Sequence, residues 1–267
     1  MKPNPWLRLL SFALGFGFLY LPLFTLVVFS FNASEMVTKW SGFSLRWYRE
    51  LLNDEVLLSA AWLSLRVAAM TATMAVVIGT WAGYVLARMR RFPGISLFVA
   101  MISAPLVIPE VILGISLLLM FVELHNLTGW PEGQGVFTIW VGHVVLATAY
   151  VAVIIQSRLR EFDRSLEEAA LDLGATPLTV FFRITLPLIA PALAAGWLLA
   201  FTLSLDDVVI ASFLSGPGST LLSPEIFARV RLGLKPEVNA LATIFIVAVG
   251  ICVLVAYRLQ KRKEVSS

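Results

Sequence analysis

Six apolar windows, each long enough to cross the hydrocarbon core of a bilayer, decide what this chain can fold into. They run approximately over 8–31, 58–87, 95–122, 137–156, 189–213 and 238–258, where a spanning helix needs about 20 mostly apolar residues. The connections between them are too polar to span. None of the windows alternates with a period of two, which argues against barrel strands. Helices are the other way to satisfy every backbone N–H and C=O in lipid. Composition agrees: 59% of residues are apolar and 14% charged, against about 45–50% and 25% in soluble domains. That excess cannot be buried in one core. The first window is longer than the roughly 7–15 apolar residues of a signal peptide, and no A-x-A-like site follows it. It is expected to remain as the first helix. The single cysteine, Cys252, lies in an apolar stretch and is read as a small hydrophobe without chemical role.

Charge sets the expected orientation. With six spans both termini share one side, which carries Lys2, Arg8, Arg88, Arg90, Arg91, Arg158, Arg160, Arg164, Arg183, Arg258, Lys261, Arg262 and Lys263. The opposite side carries Lys39, Arg46, Arg49, Arg229, Arg231 and Lys235, while Arg66 falls within the second window. The positive-inside rule puts both termini in the cytoplasm. The loop at 123–136 has no Lys or Arg, as suits an external loop. Two outer segments, 43–52 with Trp47 and Leu51 set against Arg46, Arg49 and Glu50, and 224–233, are expected as interfacial helices in the headgroup plane. Ser215-Gly-Pro-Gly-Ser219 is a turn. No internal repeat, low-complexity tract or soluble domain is visible, and residues 1–267 are read as one transmembrane domain.

The cytoplasmic connection 157–187 is the most informative segment. It is about 30 residues long, more than a compact bundle needs. Helical spacing over Arg160–Leu173 gathers Leu159, Phe162, Leu166, Ala169, Ala170 and Leu173 on one face, with Glu161, Asp163, Glu167, Glu168 and Asp172 elsewhere. Gly174 stops that helix. Thr176-Pro177 restarts a short one, and Leu186-Pro187 ends the segment before the fifth span. Such a hairpin offers a surface to a partner.

Glu168-Ala169-Ala170, then Gly174, then Ile184 and Leu186-Pro187, resembles at every fixed position the EAA motif of ABC-importer permeases. The resemblance implies an all-α integral membrane fold, a six-transmembrane-helix type I importer permease with cytoplasmic coupling helices. It also implies that this loop docks into a cleft of an ATP-binding subunit, Glu168 meeting a basic group there and Gly174 forming the bend. The bland reading is a surface hairpin that only braces the bundle. No G-x-x-x-x-G-K-[ST] occurs in the chain. ATP and Mg would therefore sit on a partner ATPase, and this chain would bind no cofactor and catalyse nothing. The implied partners are a second homologous permease, two ATP-binding subunits and a periplasmic polyamine-binding protein. The setting is the bilayer of a bacterial inner membrane, and no nucleic acid is involved.

Further segments resemble the polyamine branch of these permeases, its putrescine members first and spermidine-preferring ones as the near alternative. They are Ser30-Phe31-Asn32, the run Ala104 to Glu110, Gly129-Trp130-Pro131, the run Ser204 to Ile210, Ser215 to Gly218, and the run Pro236 to Thr243. Charge supports a cationic cargo independently. Glu110, near the middle of the third window, and the adjacent Asp206 and Asp207 in the fifth are carboxylates inside apolar spans, each costing about 2.5–3.5 kcal/mol to insert. A diamine passing by would offset that cost, with aromatic faces adding cation–π attraction. Trp140, Tyr150, Phe201 and Trp62 are candidates, although tryptophans also serve as interface anchors. Either aspartate can instead pair with Arg66 or cap a broken helix. Glu110, flanked by Pro105 and Pro109, can serve a helix bend. His125 and His143 are expected to make ordinary hydrogen bonds, with no metal site. Two rivals remain at this stage, an ion-coupled secondary transporter relaying through the acids and an intramembrane enzyme, for which no Ser/His arrangement is visible.

Overall fold

The computed structural model describes residues 5–36, 39–89, 92–233 and 236–265, with only the backbone of 5, 7 and 252–265. Lys2, Arg90, Arg91 and Lys235 lie outside the described residues, as do the side chains of Cys252, Arg258, Lys261, Arg262 and Lys263. The helices are α1 (Pro5–Phe29), α2 (Arg46–Asn53), α3 (Glu55–Arg88), α4 (Ile95–Val107), α5 (Glu110–Thr128), α6 (Val136–Glu161), α7 (Ser165–Asp172) and α8 (Pro177–Val180). A π-turn over Phe181–Thr185 leads into α9 (Leu186–Asp206), followed by α10 (Val209–Leu214), α11 (Leu222–Leu232) and α12 (Pro236–Val265). Every apolar window holds helix. Among the described residues five helices are long and apolar enough to cross a membrane, and the described apolar part of α12 is Pro236–Ile251.

The third and fifth windows depart from expectation because their helices break. Pro109 has no N–H to continue the ladder and forces its predecessor out of helical geometry. Ile108 is accordingly extended, at φ −74° and ψ 129°. The expected bend is thus a gap between α4 and α5, and Glu110 is the first residue of α5 rather than a mid-helix residue. The fifth window breaks at Asp207, at φ −62° and ψ 128°.

The chain divides into two compact units. In the unit 59–227, α6 is central, with 67% of its apolar window buried. Its upper half packs with Leu113, Leu117, Ile210, Leu214 and Leu221, and its lower half with Ala72, Ala75, Ile189 and Ala200. Small residues let α3 and α6 touch backbone to backbone: a Cβ on Gly83 would lie 2.8 Å from the Ala152 carbonyl oxygen. Membrane helices associate through such close contacts because lipid supplies no hydrophobic drive between them. The Thr138 hydroxyl, at the start of α6, lies 2.8 Å from the carbonyl of Leu214, which closes α10.

In the unit 1–58 with 228–267, Asn32 organises the outer loop. Its Nδ2 donates to the Lys39 carbonyl at 2.8 Å, its Oδ1 accepts the Ser41 N–H at 2.9 Å, and its carbonyl accepts Trp47 Nε1 at 2.6 Å. Trp47 and Leu51 are 3% and 1% exposed. The apolar face of α2 therefore packs on protein, against α12, and not into the headgroup plane as its amphipathic pattern suggested. The second outer segment is fastened likewise. Arg229 on α11 forks onto both oxygens of Asp54 (Nη2···Oδ1 3.2 Å) and reaches Glu237 at 3.4 Å. Asp54 Oδ1 also accepts the Leu57 N–H at the start of α3, 2.9 Å away.

The Arg229 hydrogen bond, helped by the Leu57 amide, holds the Asp54 carboxyl below the usual carboxylate range. A depressed folded-state pKa contributes stability in full above the unfolded value near 4 and loses it as pH falls through the folded one. Asp54→Asn is expected to lower the thermal midpoint of the detergent-solubilised chain at pH 7. The gap to wild type should close as pH drops below about 4; midpoints measured from pH 7 to pH 3 check it.

Candidate functional site

The cytoplasmic hairpin forms largely where its sequence signals lie. Gly174 ends α7 with φ +87°, a left-handed conformation that glycine adopts without Cβ strain. Thr176 caps α8, accepting the Thr179 N–H at 3.3 Å, with Pro177 first in the helix. Two details differ from expectation. The first helix is interrupted: α6 ends at Glu161, Asp163 Oδ1 accepts the Ser165 N–H at 3.0 Å, and α7 begins there. The interruption resets the helical phase, so Leu159 is buried in the bundle while Leu166 and Leu173 are exposed, the latter at 90%. The expected apolar face is therefore split, with Leu159 left in the bundle and Leu166, Ala169 and Leu173 turned outward. Nor does Leu186-Pro187 end the segment. The π-turn, closed by Leu186 N–H to the Phe181 carbonyl, carries α8 into α9 and lets Pro187 enter a helix whose next amide it cannot supply.

Within the motif, Glu168 and Ala169 are exposed, Ala170 is half-buried, and Ile184 and Leu186 are half-buried beside an exposed Pro187. Leu171, Leu178 and Phe182 add exposed apolar surface. The residue that periodicity missed is Glu167. It is 8% exposed, accepting Arg88 Nη2 at 3.0 Å and the Thr185 hydroxyl at 2.8 Å. Adjacent glutamates on a helix point about 100° apart, and nothing in Glu167-Glu168 tells which turns inward until α3 is in place.

The two aspartates separate just as sharply. Asp207 is buried. Its Oδ1 accepts the Ile210 N–H at 3.3 Å, and its Oδ2 accepts the Ala211 N–H at 2.7 Å and His143 Nε2 at 3.2 Å. His143 Nδ1 in turn lies 2.7 Å from Ser204 Oγ. Asp207 is the cap of a broken helix, one of the alternatives left open, with His143 and not Arg66 as its side-chain partner; Arg66 is exposed. The order Ser204–His143–Asp207 is that of a hydrolase triad. Here Ser204 is 4% exposed and both Asp207 oxygens hold backbone amides, so the arrangement braces the break. Asp206, by contrast, is the exposed last residue of α9, and Glu110 is exposed at the start of α5.

Of the aromatics, Trp140 lines a groove of ≈ 420 Å³ with Ala69, Met70, Thr73, Met74 and Val77. Thr73 Oγ1 also accepts Trp197 Nε1 at 3.2 Å, and Trp197 stacks on Phe201 with centroids 5.3 Å apart. Trp140 thus borders the Thr73 turn of α3, while Phe201 is linked to it through Trp197, a neighbour that the sequence did not single out. Tyr150 and Trp62 are exposed and do not line that groove. His125 makes the expected hydrogen-bonded contact, Nδ1 to the Pro131 carbonyl at 2.6 Å.

Residues 75–264 match the family profile described as binding-protein-dependent transport system inner membrane component. The chain is 58% identical over 261 residues to the putrescine transport system permease protein PotI of Escherichia coli K12, covering 98% of this chain and 92% of that one. It is 41% identical over 232 residues to the spermidine/putrescine transport system permease protein PotC of the same strain, covering 87% and 85%. A chain of the bacterial alginate ABC transporter, crystallised with its alginate-bound periplasmic protein, superposes with a TM-score of 0.72 at 18% identity, covering 96% of this chain and 93% of that one.

Asp207→Ala would leave two buried amides and His143 without their acceptor. It is expected to destabilise the chain by about 2–3 kcal/mol, whereas Asp206→Ala should stay within about 0.5 kcal/mol. Thermal unfolding of the two variants in detergent measures the difference.

Proposed function

The chain belongs to the binding-protein-dependent transport system inner membrane component family, and from that premise we propose that it is one of two pore-lining permeases of an ABC importer carrying putrescine into the cytoplasm. The observation that carries this reading is the hairpin at 165–180, which with the first residues of the π-turn leaves Glu168, Leu173, Leu178 and Phe182 exposed in a chain without a nucleotide-binding loop. A charged tip flanked by apolar knobs suits the cleft of an ATPase subunit, and ATP with its Mg belongs there. The Lys and Arg distribution supports a cytoplasmic hairpin and cytoplasmic termini. A periplasmic binding protein delivers cargo at the outer face, and two ATPase subunits closing on ATP drive the bundle between its two access states.

The cargo assignment rests on the likeness to PotI, supported by the charge of the breaks. α4 ends at Val107 and α9 at Asp206. A helix C-terminus presents carbonyls with a partial negative charge, and broken spans use such ends to hold cations. Asp206 adds a full charge to the second, and Glu110 lies three residues beyond the first. A linear diammonium chain matches acidic groups spaced along a path, with Trp140 and Phe201 offering aromatic faces. Spermidine, carried by the same chemistry, is the second reading that the likeness to PotC favours. An ion relay through the acids is disfavoured because Asp207 is committed to its cap.

Two results are expected from the complex reconstituted with its binding protein. Glu168→Lys or Gly174→Asp should abolish most cargo-stimulated ATP hydrolysis while the chain still inserts; undiminished stimulation counts against the hairpin's role. Asp206→Asn should raise the half-saturating putrescine concentration for uptake about tenfold, equivalent to about 1.4 kcal/mol of lost attraction. Unchanged putrescine uptake kinetics would remove Asp206 from the path.

A further inference from the structure

Both limbs of the hairpin converge on the last two turns of α3. From α7, Glu167 reaches Arg88, the last residue of α3: Nη2 lies 3.0 Å from Oε1 and Nε 3.0 Å from Oε2. From the π-turn, the Thr185 hydroxyl donates to the same Oε1 at 2.8 Å. The Arg88 and Glu167 side chains are 7% and 10% exposed. One turn before Arg88, Phe181 meets Tyr84 edge-on at 5.3 Å, and a further turn back it stacks on Trp81 with centroids 4.9 Å apart and planes at 17°. An exposed surface hairpin needs no buried charge to be stable. A buried ion pair is also a poor source of stability, because desolvation offsets most of its attraction. Its distinctive property is geometric, since one Glu167 oxygen is held from two directions, by a charge-assisted hydrogen bond from Arg88 Nη2 on α3 and by the Thr185 hydroxyl on the π-turn.

We propose that Glu167 is the positioning residue of the coupling hairpin, fixing its angle on the inner end of α3 so that a displacement at Glu168 moves α3 rigidly. The inference rests on the reading of 165–180 as the ATPase-facing element. The two neighbouring glutamates divide the work: Glu168 faces outward to the partner and Glu167 inward to Arg88. The stroke then enters α3, whose Thr73 turn borders the groove lined by Trp140.

The test is the reconstituted complex in nanodiscs, scored as putrescine carried per ATP hydrolysed. Glu167→Gln and Arg88→Gln should each retain the ATPase subunits and hydrolyse ATP, yet lose at least about fivefold in that ratio, the low end of typical coupling factors. The double variant should be no worse than either single. The exchanged pair, Glu167→Arg with Arg88→Glu, should recover a substantial part of the ratio. A wild-type ratio in the assembled Glu167→Gln complex, or losses that multiply in the double variant, overturns the proposal. Should Glu167→Gln fail to assemble, Thr185→Val removes one donor and no charge. A smaller loss of the same ratio is then expected, and an unchanged ratio overturns the proposal equally. Hydrogen exchange over 165–180 in the full chain without partners separates the two readings. Faster exchange in Glu167→Gln supports the clamp whatever binds the hairpin, and unchanged exchange overturns it. A wild-type chain that purifies with no ATPase overturns the transport reading instead.

Discussion

Backbone groups freed by a helix break inside a bilayer have no water to bond, and Asp207 is where this chain meets that constraint. Its two oxygens take the Ile210 and Ala211 amides, and His143 supplies the remaining donor from α6. An uncompensated carboxylate at that depth would be costly; one with its acceptor sites in use holds α9, α10 and α6 together. The consequence reaches the neighbouring residue. Because Asp207 turns inward to cap the break, Asp206 is left at the end of α9 with its charge exposed. The broken span creates a structural acid and an available one from two adjacent identical residues.

The same division appears at the cytoplasmic face with glutamates. Glu167 is drawn inward by Arg88 and Thr185, and Glu168 faces out. The hairpin thus has a fixed root and an exposed tip. The π-turn contributes to the root. By carrying α8 into α9 without a loop, it makes the hairpin an extension of a membrane-spanning helix, and Phe181 seats that extension on Trp81 and Tyr84. The hairpin is thereby joined to α3 by contact and to α9 by continuous helix.

Much of this architecture was legible from the residues. Window lengths gave the spans, Gly174 and Thr176-Pro177 gave the hairpin turn, and Ser215-Gly-Pro-Gly gave a turn closed by Ser219 Oγ accepting the Gly216 N–H at 2.7 Å. Periodicity misled wherever one helix was taken for two or two for one. The phase read through Phe162 put Leu166 and Leu173 on the face of Leu159, but the chain breaks there and the face turns outward. Trp47 and Leu51 were correctly read as an apolar stripe, yet a stripe does not say whether lipid or α12 will cover it.

Taken alone, the sequence determined that the chain lives in a membrane, which windows are helical, and which family its cytoplasmic motif belongs to. These follow from local quantities: apolar length, turn chemistry, the spacing of a motif. Only the tertiary structure decided which of two adjacent acids is buried, in both Glu167-Glu168 and Asp206-Asp207. Neighbours on a helix differ by a rotation of about 100°, and the partner that selects one of them, Arg88 or His143, is 79 or 64 residues away in the chain.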